Sequence, residues 1–268
     1  MTYRVSKTQP ALRESKDLAN AKTTNHYHLS HYQPALSPLA TAVKVAIVGL
    51  GLAHSAGQAA TIEVNSNFDN GTGCTLRDAI VSMSGGTLED GCSNTGAAFG
   101  IDDVINIRTG VAPVTITLTN GQLEFIDLAT PSITINGNGA TVDANGQSRV
   151  LFVDGLQELT INEMTLTGGS DLYGDGGGLL LNDNKVNIYD SAITNNIADN
   201  GGGIWAANVD LRLNNSVVSD NSTDQSYNSG TKGIGGGVGI SGGSLSINNS
   251  IISDNLADGY YTLSLIHI

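Results

Sequence analysis

GGGLLLNDNKVNIYDSAITNNIAD, at residues 176–199, is the first of three similar segments that decide the fold. The second, at residues 201–224, reads GGGIWAANVDLRLNNSVVSDNSTD, and the third, at residues 235–258, reads GGGVGISGGSLSINNSIISDNLAD. Their first glycines are 25 and 34 residues apart, and a nine-residue insertion accounts for the longer spacing. Repetition at this period is typical of a solenoid in which each repeat forms one coil.

Apolar and polar residues alternate within each repeat, as they do in short β-strands. Three columns are apolar in every repeat: Val186, Leu211 and Leu245; Ile188, Leu213 and Ile247; Ile193, Val218 and Ile252. Residues 133–135 and 159–161 fit the same pattern more loosely, and residues 114–118 are expected to begin the first coil. The repeats therefore predict about five or six coils within residues 112–262.

Other columns hold the same polar residue in every repeat. Serine recurs at Ser191, Ser216 and Ser250, and asparagine recurs at Asn196, Asn221 and Asn255. Asparagine tolerates left-handed backbone geometry and can bond to its copy in the next coil, so we predict an internal ladder of these three asparagines. Coils with this composition predict an all-β fold, a right-handed parallel β-helix. A leucine-rich repeat is the competing solenoid, but it would need more closely spaced leucines and helical segments, which this sequence lacks.

The charge and histidine content exclude several functions. The formal net charge is −13, and 23 of the 25 acids but only six of the 12 bases follow residue 60. Such an acidic chain has no electrostatic basis for binding nucleic acid. Between Ala60 and Tyr261 there is no histidine. This excludes serine–histidine and cysteine–histidine catalysis and an ordinary zinc site in the repeats.

The beginning of the chain carries a leader pattern. Residues 45–53 (VAIVGLGLA) are apolar, follow Lys44 and precede a segment of small residues. We interpret residues 1–59 as a signal peptide with a long n-region, cleaved after Ala59 or one residue later. The apolar run is too short for a transmembrane helix, which needs about 20 residues. A buried strand or helix is the alternative interpretation.

Export gives the two cysteines a role. Cys74 and Cys92 are the only cysteines of the chain. Outside the cytoplasm we expect them to form a disulfide bond, which in the chain-entropy model contributes about 3 kcal/mol. Two free buried thiols are the alternative.

The segment around Cys74 predicts a short helix and carries a resemblance. Thr75 and Asp78 have the spacing of a helix start, and Gly85 and Gly86 can end a helix over about residues 76–84. Together with TIEVNSNFDN (61–70), DGC (90–92) and DVINI (103–107), the sequence CTLRDAI (74–80) resembles the CSLREA domain of secreted bacterial proteins. Thr75 and Asp78 are conservative departures from that motif. The resemblance implies an N-terminal cap, residues 60–111, without catalytic residues.

Catalysis by the repeats has little support in the sequence, and we assign no catalytic residue. Arg149, Lys185, Arg212 and Lys232 are the cations of the β-helix region. Lys185 aligns with Asp210 of the next repeat, which predicts a surface ion pair worth about 0–1 kcal/mol. The acids Asp199, Asp224 and Asp258 recur in every repeat, which is typical of an architectural role. Because β-helices include polysaccharide lyases and glycoside hydrolases, such an enzyme is the alternative function.

Two regions are candidate binding sites. Asp171 and Asp175 lie in the glycine-rich segment GSDLYGDGGG at residues 169–178, so they are candidate calcium ligands, with an ordinary flexible turn as the alternative. No other cofactor is indicated. Tyr189 takes an outward position at which it could stack on a sugar. The insertion at residues 225–234 is a candidate contact loop, because insertions in solenoids often carry function.

The sequence as a whole predicts an exported protein of the cell surface, outer membrane or extracellular space. Its expected role is structural or adhesive, with a polysaccharide or a cell-surface ligand as partner. The repeats resemble those of bacterial β-helix surface proteins, including the polymorphic outer-membrane family. Residues 263–268 (LSLIHI) break the repeat and can be written as codons of a transposon end used in DNA-library preparation. We therefore expect these six residues to be foreign to the natural protein, with a genuine apolar end strand as the alternative.

Overall fold

The described part of the chain is taken from a computed structural model. It comprises residues 59–108, 113–126, 132–224 and 233–258, and the backbone of residues 266–267. The leader lies outside these residues except for Ala59, as do residues 225–232 of the insertion and the tail except for the backbone of 266–267. In the described segments we find no helix with the length and hydrophobicity that crossing a membrane requires.

The described residues form one α-helix, α1 (Leu76–Gly85), and short β-strands that follow one another along the chain. The strands are β1 (Thr61–Val64), β2 (Asn94–Thr95), β3 (Asp103–Ile107), β4 (Thr115–Thr117), β5 (Leu123–Phe125), β6 (Ser132–Asp143), β7 (Leu151–Asp154), β8 (Glu158–Thr167), β9 (Ser170–Asp175), β10 (Leu179–Asn182), β11 (Lys185–Tyr189), β12 (Ala192–Thr194), β13 (Ile197–Asn200), β14 (Ile204–Asn214), β15 (Val217–Ser219), β16 (Ser222–Thr223), β17 (Val238–Asn248), β18 (Ile251–Ser253) and β19 (Ile266–His267).

Parallel pairing stacks these strands into the faces of a solenoid. Face A runs through β5, β7, β10 and the first halves of β14 and β17. Face B runs through β1, β3, the first halves of β6 and β8, β11, and the second halves of β14 and β17. Face C contains β4, the second halves of β6 and β8, β12, β15 and β18. A separate short sheet joins β9, β13 and β16. The predicted parallel β-helix is confirmed.

The register of the three repeats and the number of stacked coils are as predicted. Val186 lies beside Leu211, and Leu211 lies beside Leu245. Six strands stack on face C between Thr115 and Ser253, in agreement with the five or six coils predicted within residues 112–262. The part from β6 to β17 makes about four turns. Residues 114–118 do not begin a coil. Their strand β4 lies on face C beside Thr141–Asp143 and belongs to the turn that starts with β3.

The apolar columns form the core inside the solenoid. Val186, Leu211, Ile188 and Leu213 are fully buried, because the coils on both sides cover them. Ile247, in the last of the three repeats, is 41% exposed. Within the described residues no coil follows it on face B, although β19 pairs with the start of β17.

The predicted asparagine ladder is confirmed. The Asn196 Nδ2 group donates to Asn221 Oδ1 at 2.9 Å, and Asn221 Nδ2 donates to Asn255 Oδ1 at the same distance. All three side chains are buried. The expected left-handed geometry belongs instead to the preceding residues, Asn195, Asp220 and Asp254, with φ between 54° and 57°. The turn residue therefore bends the chain, and the next residue points inward and bonds across the coils.

The cap is tied together as the sequence predicts. Thr75 and Asp78 form a capping box at the start of α1, and Cys74 is disulfide-bonded to Cys92. Arg77, from the middle of CTLRDAI, donates to both carboxylate oxygens of Asp69, at 2.8 and 3.1 Å. It also donates to the carbonyls of Gly121 and Gln122, in the turn before β5. Arg77 therefore fastens the helix to the first turn of the solenoid.

The Asp69 carboxylate is stabilised in its charged form. Burial alone would raise its pKa, but hydrogen bonds from Arg77 and from the backbone amides of Thr119 and Asn120 outweigh this effect and lower the pKa. These bonds stabilise the fold when Asp69 is ionised and are weakened as acid protonates it.

The predicted ion pair between Lys185 and Asp210 is not formed. The two residues are neighbours across β11 and β14, as the alignment indicated. Lys185 Nζ instead lies 2.7 Å from Glu158 Oε1, on the other side. Asp210 accepts a hydrogen bond from Ser244. Since acids flank Lys185 in both adjacent coils, the alignment of three repeats alone could not tell which of them it contacts.

Candidate functional site

Face A carries a row of large apolar side chains on its outer surface. Phe152, Leu180 and Trp205 occupy equivalent places in β7, β10 and β14, where the inward neighbours on each strand are buried. The three side chains are partly exposed. Adjacent parallel strands lie about 4.8 Å apart, so Phe152 and Trp205 are separated by about 9.6 Å along the solenoid axis. We call these three residues the outer apolar row.

Trp205 lies over the backbone of the next coil. The neighbouring position in β17 is Gly239. A β-carbon at Gly239 would come within 2.5 Å of Trp205 Cε3 and 2.7 Å of Cζ3. A glycine is therefore needed here because the indole ring occupies the space of a side chain, and Gly239 is buried beneath it.

A polar cluster borders the outer apolar row at one edge. Arg149 is 7% exposed, and its guanidinium carbon lies 5.9 Å from the centre of the Phe152 ring, within cation–π range. Its Nη1 donates to Gln122 Oε1 at 2.6 Å, its Nη2 to Asp171 Oδ2, and its Nε to the carbonyl of Gly176 at 2.8 Å. Arg149 therefore holds three separate turns together and fixes the edge of face A.

Asp175 belongs to the same polar cluster. It accepts a hydrogen bond from Asn200 Nδ2 at 2.8 Å. Burial raises the pKa of the Asp175 carboxyl, the Asn200 bond lowers it, and the negative charge of Asp199 raises it again. The charge of Arg149 lowers the pKa and the charge of Asp171 raises it, both by smaller amounts. The overall shift of the Asp175 pKa is upward. A carboxyl of this kind holds its proton more strongly than an exposed aspartate.

The calcium candidates have a different environment from the one expected. Asp171 and Asp175 both lie in strand β9, which runs from Ser170 to Asp175, so the interpretation of this segment as a flexible turn was wrong. Asp171 is ion-paired with Arg149, which already neutralises its charge. No group of three or more potential metal-binding side chains occurs in the described segments. The arrangement fits an arginine clamp better than a calcium site.

The other candidates lie away from the outer apolar row. Tyr189 is 38% exposed at the end of β11 on face B, in the outward position predicted for it. The predicted contact loop is outside the described residues except for Gly233 and Ile234. Asp199 is buried, in agreement with an architectural role for that column.

Sequence analysis missed the outer apolar row and its polar edge. Residues 179–181 are three consecutive leucines, and strict alternation would have placed a polar residue in the middle of them. Leu180 and Trp205 also share a column of the repeat alignment. An apolar residue at an outward position was therefore the available signal. Comparison of the chain with protein-family models, with curated proteins and with solved structures gave no match.

The close contact at Gly239 leads to a prediction about Trp205. We expect Gly239→Ala to displace the indole ring, because a methyl group cannot occupy the same space. Trp205 is the only tryptophan of the chain, so its fluorescence emission should shift toward that of a solvated indole. Ser241→Ala, two residues along the same strand, is the matched control and should leave the spectrum unchanged. An unchanged spectrum in Gly239→Ala would show that the ring lies elsewhere.

Proposed function

We propose that the protein is an exported β-helix with a structural and adhesive role, and that face A binds a polysaccharide. Export is supported by the leader pattern and by the disulfide bond between Cys74 and Cys92, which is typical of oxidising compartments. The resemblance of residues 60–111 to the CSLREA domain of secreted proteins supports the same proposal. In this segment the disulfide bond joins the two sides of α1, and Arg77 fastens α1 to the first turn of the solenoid.

The outer apolar row is the observation that carries the adhesive role. Its side chains form a strip one residue wide along the solenoid axis, and polar residues flank the strip. Asp154 and Asn182 lie next to it on β7 and β10, and the Arg149 cluster borders its other side. Apolar faces with a few polar groups at their edges suit sugar rings, which present C–H groups on their faces and hydroxyl groups around them.

Size and charge narrow the choice of partner. A stable protein–protein interface buries about 800 Å² on each side, which is more than three partly buried side chains provide. A linear glycan needs only a narrow strip. The acidic surface repels polyanions, and the Arg149 charge is already neutralised by Asp171. We therefore expect an uncharged, unbranched glycan to bind.

Trp205 allows this function to be tested directly. The exported chain would be titrated with hydroxyethylcellulose and glucomannan as neutral, linear glycans and with polygalacturonate as an anionic one. Electrophoretic retardation would be measured for every variant, and Trp205 emission for the variants that keep the indole. We expect a neutral glycan to bind and Trp205→Ala to weaken binding about tenfold, since one aromatic contact contributes roughly 1.5 kcal/mol.

Tyr189→Ala, on face B, is the matched control and should bind like the unchanged protein. Equal binding by Trp205→Ala and the unchanged protein would contradict a site on face A. Binding of polygalacturonate alone would contradict a neutral ligand.

A polysaccharide-degrading enzyme is the second candidate function, and Asp175 is the observation that favours it. Its raised pKa is a property of general acids in glycoside hydrolases. The same incubations would be assayed for new reducing ends and for unsaturated products. Product formation that is lost in Asp175→Asn, with glycan binding retained, would replace the adhesive function by the enzymatic one.

A further inference from the structure

Asp103 is a fully buried carboxylate at the end of the solenoid where the described chain begins. Its relative exposure is 0%, as is that of Ala60. The backbone nitrogen of Ala60 donates to Asp103 Oδ1 at 2.9 Å, and that of Gly100 donates to Oδ2 at 2.9 Å. These two amides are the hydrogen-bond donors that the described residues offer to this carboxylate.

A buried carboxylate usually has a positively charged partner, because an unpaired charge is costly to bury. The ion pairs among the described residues involve Asp69, Glu63, Asp171 and Glu158, and none involves Asp103. Within the described residues, Asp103 therefore has no cationic partner while Ala60 is bonded to Ala59 through a neutral amide.

We infer that removal of the leader after Ala59 creates this partner, because the new α-ammonium group of Ala60 pairs with the Asp103 carboxylate. The inference rests on the proposed export. Hydrolysis breaks the bond between the Ala59 carbonyl carbon and the Ala60 nitrogen. The oxygen of water goes to the Ala59 carboxylate, and the Ala60 amine takes up a proton and becomes cationic. The nitrogen is already 2.9 Å from Asp103 Oδ1.

The surrounding contacts keep Ala60 at this place. The carbonyl of Ala60 accepts a hydrogen bond from the Val104 amide at 2.8 Å, and Thr61 follows as the first residue of β1, paired with Val104. Cleavage one residue later would remove the nitrogen that contacts Asp103. Cleavage upstream of Ala59 would leave a neutral amide there. The ion pair therefore requires cleavage after Ala59.

The pair would couple processing to stability. A charge-assisted hydrogen bond is about twice as strong as a neutral one. It fastens β1 to β3 and so strengthens the first strand pairing of face B. The hydrogen bond becomes charge-assisted only when the leader is gone, which makes the end of the solenoid more stable after export than before it.

N-terminal sequencing and a double-mutant cycle test the inference. The first residue of the exported protein should be Ala60. Unfolding by urea would be compared for the chain that begins at Ala60 and for one with a Gly-Ser extension before Ala60, each with Asp103 and with Asp103→Asn. We expect the extension to raise the unfolding equilibrium constant about tenfold in the Asp103 background and much less in Asp103→Asn.

Asp102→Asn, at the exposed neighbouring position, is the matched control and should respond to the extension as the unchanged chain does. If Asp103→Asn does not fold, acetylation of the Ala60 amine in the unchanged chain replaces it and should weaken stability to a similar degree. Equal stability of processed, extended and acetylated chains would overturn the inference. Export with a different first residue would overturn it while leaving the proposed function intact, whereas retention of an uncleaved chain in the cytoplasm would overturn both.

Discussion

Asn221→Ala is expected to lower the free energy of unfolding by at least about 3 kcal/mol, because it removes four hydrogen bonds from the interior of the solenoid. The Asn221 side chain donates to the Ile193 carbonyl and to Asn255 Oδ1, each at 2.9 Å. Its Oδ1 accepts from the backbone and side-chain nitrogens of Asn196, at 3.0 and 2.9 Å. In the variant these partner groups stay buried but lose their hydrogen bonds to the Asn221 amide. Chemical and thermal unfolding would measure the loss.

Asn208 provides the control for this substitution. It is exposed and makes one side-chain bond, to Asp183 Oδ1 at 3.1 Å. Its φ is 55°, so Asn208→Ala should still cost about 1 kcal/mol from backbone strain. Asn208→Gly removes the side chain without that strain and should cost less. Equal losses in Asn221→Ala and Asn208→Ala would contradict a buried ladder.

Removal of the disulfide bond is expected to have the second large effect, about 3 kcal/mol. Cys74 and Cys92 are 18 residues apart and lie on either side of α1. The paired variant Cys74→Ala with Cys92→Ala frees this loop in the unfolded chain and removes a cross-link from the cap. Hydrogen exchange should become faster in α1 and β1, while β11 and β14 keep their protection.

Two measurements check the state of the cysteines. Mass spectrometry of the native protein should find no alkylatable thiol, and reduction should add the mass of two hydrogen atoms. Two reactive thiols in the unreduced protein would contradict the bond. Uniformly faster exchange in the paired variant, from the cap through face B, would show that the bond stabilises the whole solenoid instead of its cap.

The sequence contained most of the information for the repeated coils. Identical residues at equal spacing, such as Asn196 and Asn221, must lie side by side once the coils stack. The capping box of α1 was visible for a similar reason, since Thr75 and Asp78 interact within one helical turn. Contacts within one helical turn and contacts between identical residues of successive repeats could thus be predicted from the sequence alone.

Contacts that occur once were not predictable in this way. Arg149 meets Gln122 and Asp171, which are 27 and 22 residues away in the chain, and it lies before the first of the three aligned repeats. No second copy of this contact exists in the described coils to fix its register. The choice of Glu158 over Asp210 by Lys185 is a similar case, because side-chain length and local geometry decide between two acids.

The asparagine ladder also has a net dipole along the solenoid axis. Asn196 donates to Asn221 and Asn221 donates to Asn255, so the amide dipoles of the row point the same way along the axis. Each polarises the next, as in other chains of hydrogen bonds. The positive ends face the later coils and the negative ends face the cap. The two ends of the ladder therefore carry partial charges of opposite sign, although all its side chains are asparagines.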